Sequence, residues 1–134
     1  MPPVTVLIVD DDPDHQTVCH VLLQHAGYRV LQAHDGAEGV RMAREARPDV
    51  VLMDMRMPRM DGIAARRELA ELPETRAIPV VALTADVLKW PEARLLEEGF
   101  SALLPKPCNL HRILSVVNRL APVPSTRAEL VAAG

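Results

Sequence analysis

The 134-residue sequence predicts an α/β domain built on a parallel sheet, in five βα units. Short apolar runs rich in β-branched residues recur along the chain, and stretches of helical periodicity separate them. The runs are continuous instead of alternating, as in strands covered on both faces. They are VTVLIV (4–9), YRVLQA (28–33), DVVLM (49–53), IPVVALT (78–84) and SALL (101–104).

Helices are expected over 13–26, 36–46, 62–72, 91–98 and 109–120. The first has Asp12 as N-cap, Pro13 at its first position and Gly27 as its stop. Val18, Cys19, Leu22, Leu23 and Ala26 form its apolar stripe and are expected in the core. Along the second helix Arg41, Arg44 and Arg47 line one solvated side, and in the third Arg66, Arg67, Glu68 and Glu71 form an ordinary charged face. The fourth is constrained by Pro91, which has no place deep inside a helix. Pro91 is therefore expected at its first position, with 85–90 an extended loop carrying Trp90, either exposed as a partner anchor or folded onto the domain. Gly99 ends this helix. The stretch PVPSTRAELVAAG, 122–134, is expected to be a tail or linker stump outside a domain spanning 1–121.

Composition narrows the function classes. A chain 49% hydrophobic and 25% charged can bury a sizeable core. Its apolar runs fall far short of the roughly 18 to 20 residues of a membrane span, and no basic-then-apolar leader opens it, so a cytoplasmic location is expected. A net charge of −3 with one Trp, one Tyr and one Phe argues against direct nucleic-acid binding. Cys19 and Cys108 lack CxxC spacing and read as reduced, small apolar side chains.

The chemistry is concentrated at strand ends. Asp10 and Asp11 follow the first strand, Asp54 the third, Thr84 closes the fourth, and Lys106 follows the fifth. Open α/β sheets bind ligands beyond the carboxyl ends of their strands. If the first and third strands are neighbours, three carboxylates converge, each raising the others' pKa, and a hard divalent cation, Mg²⁺ first, offsets the repulsion. A carboxylate beside Mg²⁺ with a lysine opposite suits phosphoryl transfer. Asp54 can attack phosphorus while Lys106 neutralises oxygens and the Thr84 hydroxyl donates a hydrogen bond.

These pieces together, Asp10-Asp11 after LIV, Asp54 followed by MPRMDG, Thr84-Ala85 after VVAL, and Lys106-Pro107, resemble the receiver domain of two-component response regulators over about residues 4–120. The resemblance implies a flavodoxin-like, doubly wound fold with strand order 2-1-3-4-5. It also implies Asp54 as phospho-acceptor, Asp11 as a direct Mg²⁺ ligand, Asp10 as a ligand mainly through water, and the Arg56 backbone carbonyl as a further ligand. Thr84 becomes the switch hydroxyl and Lys106 the phosphoryl-binding cation, with a cis bond before Pro107. Gly62 opens the third helix, and Met57 and Pro58 shape the loop that carries Arg56. The implied partners are a sensor histidine kinase or histidine phosphotransfer protein and a downstream protein target, and the implied catalysis is confined to the domain's own phosphorylation and dephosphorylation.

Leu103 departs from the family pattern, which has Tyr or Phe three residues before the lysine. A leucine can repack but carries no hydroxyl, which bears on output more than on phosphorylation. LIVDDDPD also resembles the start of haloacid-dehalogenase phosphatases, with Asp10 as nucleophile, but leaves MPRMDG unexplained. A docking module with the same fold and no phosphorylation is the other rival. His15, His20 and His25 recur every five residues, which scatters them around a helix instead of gathering ligands. Arg56 and Asp86 are expected at the rim of the site, where their opposite charges could pair as a lid.

Overall fold

The computed structural model describes residues 3–107 and 109–121. Cys108 and the expected tail at 122–134 lie outside the described residues. The elements alternate as β1 (Thr5–Val9), α1 (Pro13–His25), β2 (Arg29–Ala33), α2 (Gly36–Ala46) and β3 (Val50–Asp54), then α3 (Gly62–Glu71), β4 (Val80–Thr84), α4 (Glu92–Glu97), β5 (Ala102–Pro105) and α5 (Leu110–Leu120). All strand pairs are parallel, in the order β2-β1-β3-β4-β5.

The continuous apolar runs follow from this order. β3 and β4 are buried along their whole length, whereas the edge strand β2 is mostly half-exposed. Successive residues of the central strands feed two separate cores. Leu7, Val9, Val51, Met53, Val80 and Ala82 pack with Ala43 of α2, Ile63 and Leu69 of α3 and Leu95 of α4. Val6, Ile8, Leu52, Val81 and Leu83 pack with Cys19 and Leu23 of α1 and Ile113 and Val117 of α5. Each Val, Leu, Ile or Met among them contributes about 1.5–3 kcal/mol relative to exposure, so the sheet is held from both faces.

Local chemistry sets the helix ends. Asp12 caps α1, its side chain accepting from the backbone N–H groups of Asp14 and His15, and Asp35, Asp61 and Asn109 cap α2, α3 and α5 in the same way. Gly27 and Gly99 adopt left-handed φ of 101° and 97° just after α1 and α4. Gly62 is required by close approach, because a Cβ there would lie 2.7 Å from the Asp54 carbonyl oxygen. The Lys106–Pro107 bond is cis.

Three local expectations are corrected. The buried face of α1 is Gln16, Cys19 and Leu23, and Val18 is 51% exposed. The helix lies on the sheet along a narrow line, and the Gln16 amide, donating to the carbonyls of Ile8, Asp10 and Ala33, occupies a place expected to be apolar. Pro91 is the N-cap of α4 instead of its first residue, since its ψ of 148° is extended while its carbonyl already accepts from the Leu95 N–H. Residues 85–90 form a turn, not an extended loop: the Asp86 carbonyl accepts from Trp90 N–H and the Asp86 carboxylate from Lys89 N–H. That turn folds Trp90 into the core, 8% exposed, with the Arg94 guanidinium 4.8 Å and the Lys89 ammonium 5.4 Å from its ring centre.

Candidate functional site

Strand register assembles the site. Val9 pairs with Met53, and Asp54 pairs with Leu83, so the residue after β1 is level with Asp54, the last residue of β3. Thr84 pairs with Pro105, which sets Lys106 just beyond Thr84. β1 lies between β2 and β3, and chain order reverses there, opening a crevice at the carboxyl ends. Asp11, Asp12, Asp54, Arg56, Thr84, Asp86, Lys89, Trp90 and Lys106 line a cavity of about 750 Å³.

Asp10 and Asp54 are buried and Asp11 is exposed, and one carboxylate oxygen from each lies within 4.8 Å of the others. Lys106 Nζ bridges the two buried groups, 3.1 Å from Asp10 Oδ2, 3.2 Å from Asp10 Oδ1 and 3.3 Å from Asp54 Oδ2. Asp10 Oδ1 also accepts from Asp12 N–H at 2.9 Å, and Asp54 Oδ1 from Arg56 N–H at 3.2 Å. Thr84 Oγ1 accepts from Asp86 N–H at 3.0 Å, and the Thr84 carbonyl accepts from Lys106 N–H at 2.8 Å.

These contacts divide the carboxylates. Burial opposes charge on Asp10, but hydrogen bonds from His15 and Asp12 and the Lys106 charge outweigh it and hold the pKa at about 2. On Asp54 burial dominates and the Asp10 charge adds to it; the Arg56 N–H and Lys106 compensate only in part, leaving the pKa at about 7. Burial also disfavours the Lys106 ammonium, yet the two carboxylates raise its pKa above the usual lysine value. The pocket thus holds more negative charge than Lys106 balances. Three carboxylates so placed fit a hard divalent cation such as Mg²⁺.

Asp10, Asp11, Asp54, Thr84 and Lys106 therefore meet as their strand-end positions predict, and Arg56 lines the same cavity. Arg56 is exposed between the buried Met55 and Met57, which anchor its loop. Among the described residues no ion pair joins Arg56 to Asp86, whose carboxylate instead caps the 86–89 turn. Arg67 pairs with Glu98 at 2.9 Å, and Arg66 Nε donates to the Gly99 carbonyl, so this charged face ties α3 to the end of α4.

Sequence reasoning missed His15. Its Nδ1 lies 2.6 Å from Asp10 Oδ2. The signal was available: helical side chains point back toward the helix N-terminus, and a residue just inside the Asp12 cap reaches the end of β1. Comparing the three histidines only with one another hid it.

The family model described as response regulator receiver domain matches residues 6–118. The polar-differentiation response regulator DivK of Brucella anthropi is 33% identical over 115 residues, covering 86% of this chain and 94% of that protein. Protein PilH of Pseudomonas aeruginosa is 37% identical, covering 84% and 93%. Among solved structures, the receiver domain of a sensor histidine kinase from Pseudomonas aeruginosa, with magnesium coordinated in its active site cleft, is 35% identical with a TM-score of 0.82, covering 89% of this chain and 98% of that one. The Vibrio cholerae chemotaxis protein CheY4 is 29% identical with a TM-score of 0.83, covering 89% and 99%.

Proposed function

This chain belongs to the response regulator receiver domain family, and on that premise we propose that it accepts a phosphoryl group on Asp54 from a phosphohistidine of a sensor histidine kinase or histidine phosphotransfer protein. One observation carries the reading: Asp54 sits at a solvent-open cavity with Lys106 Nζ 3.3 Å from its carboxylate and the Asp10 and Asp11 carboxylates beside it.

An Asp54 oxygen forms the new P–O bond as the donor's P–N bond breaks, and the imidazole leaves with the bonding pair. Lys106 follows the developing charge on phosphoryl oxygens. Asp10, Asp11, Asp54 and the backbone carbonyl of Arg56 are the residues that would hold Mg²⁺, which when bound neutralises the carboxylates and the phosphoryl oxygens. Thr84 switches partner, its hydroxyl leaving Asp86 N–H to donate to the phosphoryl group. That hydrogen bond is the first link of the turn ending at Trp90, so the turn rearranges and alters the surface offered to a protein target.

The domain spans 1–121. It catalyses only its own phosphorylation and dephosphorylation and works in the cytoplasm. Among the described residues no helix is long and apolar enough to cross a membrane. Incubation with acetyl phosphate and Mg²⁺ tests the proposal: the wild type is labelled, and Asp54→Asn and Asp11→Ala are not. Equal labelling of Asp11→Ala in Mg²⁺-free buffer contradicts it.

A further inference from the structure

His15 lies where the proposed chemistry can use it, although no part of the recognised strand-end motif includes it. The N-cap fixes its backbone, with His15 N–H donating to Asp12 Oδ1 in the first turn of α1. From there the ring reaches back to β1, and Nδ1 comes within 2.6 Å of Asp10 Oδ2. The buried Cys19 lies against the same ring, its Sγ 3.9 Å from Nδ1 and 3.7 Å from Nε2. Asp10 is itself 0% exposed, so water cannot take over the role of a lost donor. A carboxylate accepts and cannot donate. The nitrogen facing it must therefore carry its proton, which selects the Nδ1–H form of His15.

Asp10 is thereby gripped from three directions: His15 on Oδ2, the Asp12 backbone N–H on Oδ1, and Lys106 spanning both. Asp12 N–H belongs to the loop and Lys106 also bonds Asp54, so His15 is the contact that ties the carboxylate to the body of α1. We propose that His15 is a positioning residue of the acidic site, holding Asp10 through Nδ1–H in the one orientation that faces Asp54 and Lys106 and so shaping the site for its cation. The proposal rests on the reading that Asp10, Asp11 and Asp54 hold Mg²⁺. His15 touches neither cation nor phosphoryl group. It acts through Asp10, as hydrogen-bond partners of metal-binding carboxylates do.

Two measurements test it. In the metal-free protein, long-range ¹H–¹⁵N spectra of labelled histidine are expected to show the His15 proton on Nδ1, and a proton on Nε2 alone overturns the proposal. Mg²⁺ titration followed by Trp90 fluorescence or calorimetry then compares wild type, His15→Leu, which keeps bulk but has no donor, and His15→Asn, which keeps an N–H near the Nδ1 position. His15→Leu is expected to bind Mg²⁺ about tenfold more weakly, with His15→Asn restored to within a few-fold of wild type. Equal or tighter binding by His15→Leu, or equal losses in both variants, overturns it. An Asp11→Ala control separates the two readings: Mg²⁺ binding that survives it overturns the site and the role of His15 together, whereas binding lost in Asp11→Ala but unchanged in His15→Leu overturns His15 alone.

Discussion

The carboxyl ends of β1 and β3 and the segment after β4 lie side by side and are held in opposite ways. At the first, two buried carboxylates share Lys106, each also accepts from a backbone N–H, and the His15 ring holds Asp10 as well. Burial works against the charges there, and many contacts are needed to fix them. The second hangs on few bonds, Asp86 N–H on the Thr84 hydroxyl and the two bonds of the following turn, and leaves Val87 and Leu88 exposed, Leu88 at 91%. A change of partner at Thr84, as proposed above, removes the first of these bonds. On the proposed function the contrast separates a fixed chemical centre from an adjustable reporter, and the same hydroxyl belongs to both.

The largest expected effect breaks the electrostatic side. Asp54 has a pKa of about 7, above the ordinary 3.8. The unfolded chain ionises first, so the native state is favoured relative to it below that ordinary value and loses this advantage as pH rises through 7. Without Mg²⁺, wild-type stability should fall between about pH 4 and pH 8, and Asp54→Asn should fall less over that window. At pH 8 the variant should be more stable by about 2–4 kcal/mol. Urea unfolding at several pH values measures it, and parallel curves for the two proteins would show that Asp54 is not electrostatically stressed.

Next comes Lys106→Met, which removes the cation bridging both carboxylates while keeping much of the bulk. It should cost about 1–3 kcal/mol at neutral pH in Mg²⁺-free buffer. Added Mg²⁺ should restore part of that loss. A Tm shift unaffected by Mg²⁺ would assign the loss to packing.

The reporter side is sharpened by Trp90. Beryllofluoride with Mg²⁺ should change its fluorescence, and the change should disappear in Asp54→Asn and shrink in Thr84→Val, which keeps the shape but not the hydroxyl. An unchanged spectrum in wild type despite bound beryllofluoride would remove the 86–90 turn from the switch. The smallest effect belongs to the rim. Since Arg56 and Asp86 form no ion pair, the loss of each should alter acyl-phosphate half-life independently, and the double variant should show the product of the single changes. Decay of labelled phosphoprotein in the four proteins checks this, and strong non-additivity would revive the lid.

Much of this was legible in the sequence, for reasons that differ by residue. The two-sided burial of β3 and β4 makes continuous apolar runs, and a carboxylate closing such a run stands out because burial opposes its charge. Asp12, Pro13, Gly27 and Gly99 are local punctuation and needed no tertiary information. Strand order came only from the family resemblance, because parallel crossovers leave no local trace of which strands are neighbours. Trp90 could not be placed, since its burial depends on a turn closed by Asp86 and on the cations of Lys89 and Arg94. Val18 and Gln16 exchanged roles because apolar periodicity finds a stripe but does not reveal that the carbonyls of Ile8, Asp10 and Ala33 converge on one side-chain amide. The pairing of Arg67 with Glu98 crosses from α3 to α4 and has no signature within either helix.

The central claim is that Asp54 is the nucleophile of this pocket, and the most direct measurement is the site of modification. The protein is treated with acetyl phosphate and Mg²⁺, the acyl phosphate is trapped by borohydride reduction, and the modified residue is located by peptide mass spectrometry. The account predicts modification at Asp54 and none in Asp54→Asn. Modification at Asp10 would contradict it in favour of a phosphatase-like centre, and an unmodified protein would contradict it in favour of a docking module that keeps the fold without the chemistry.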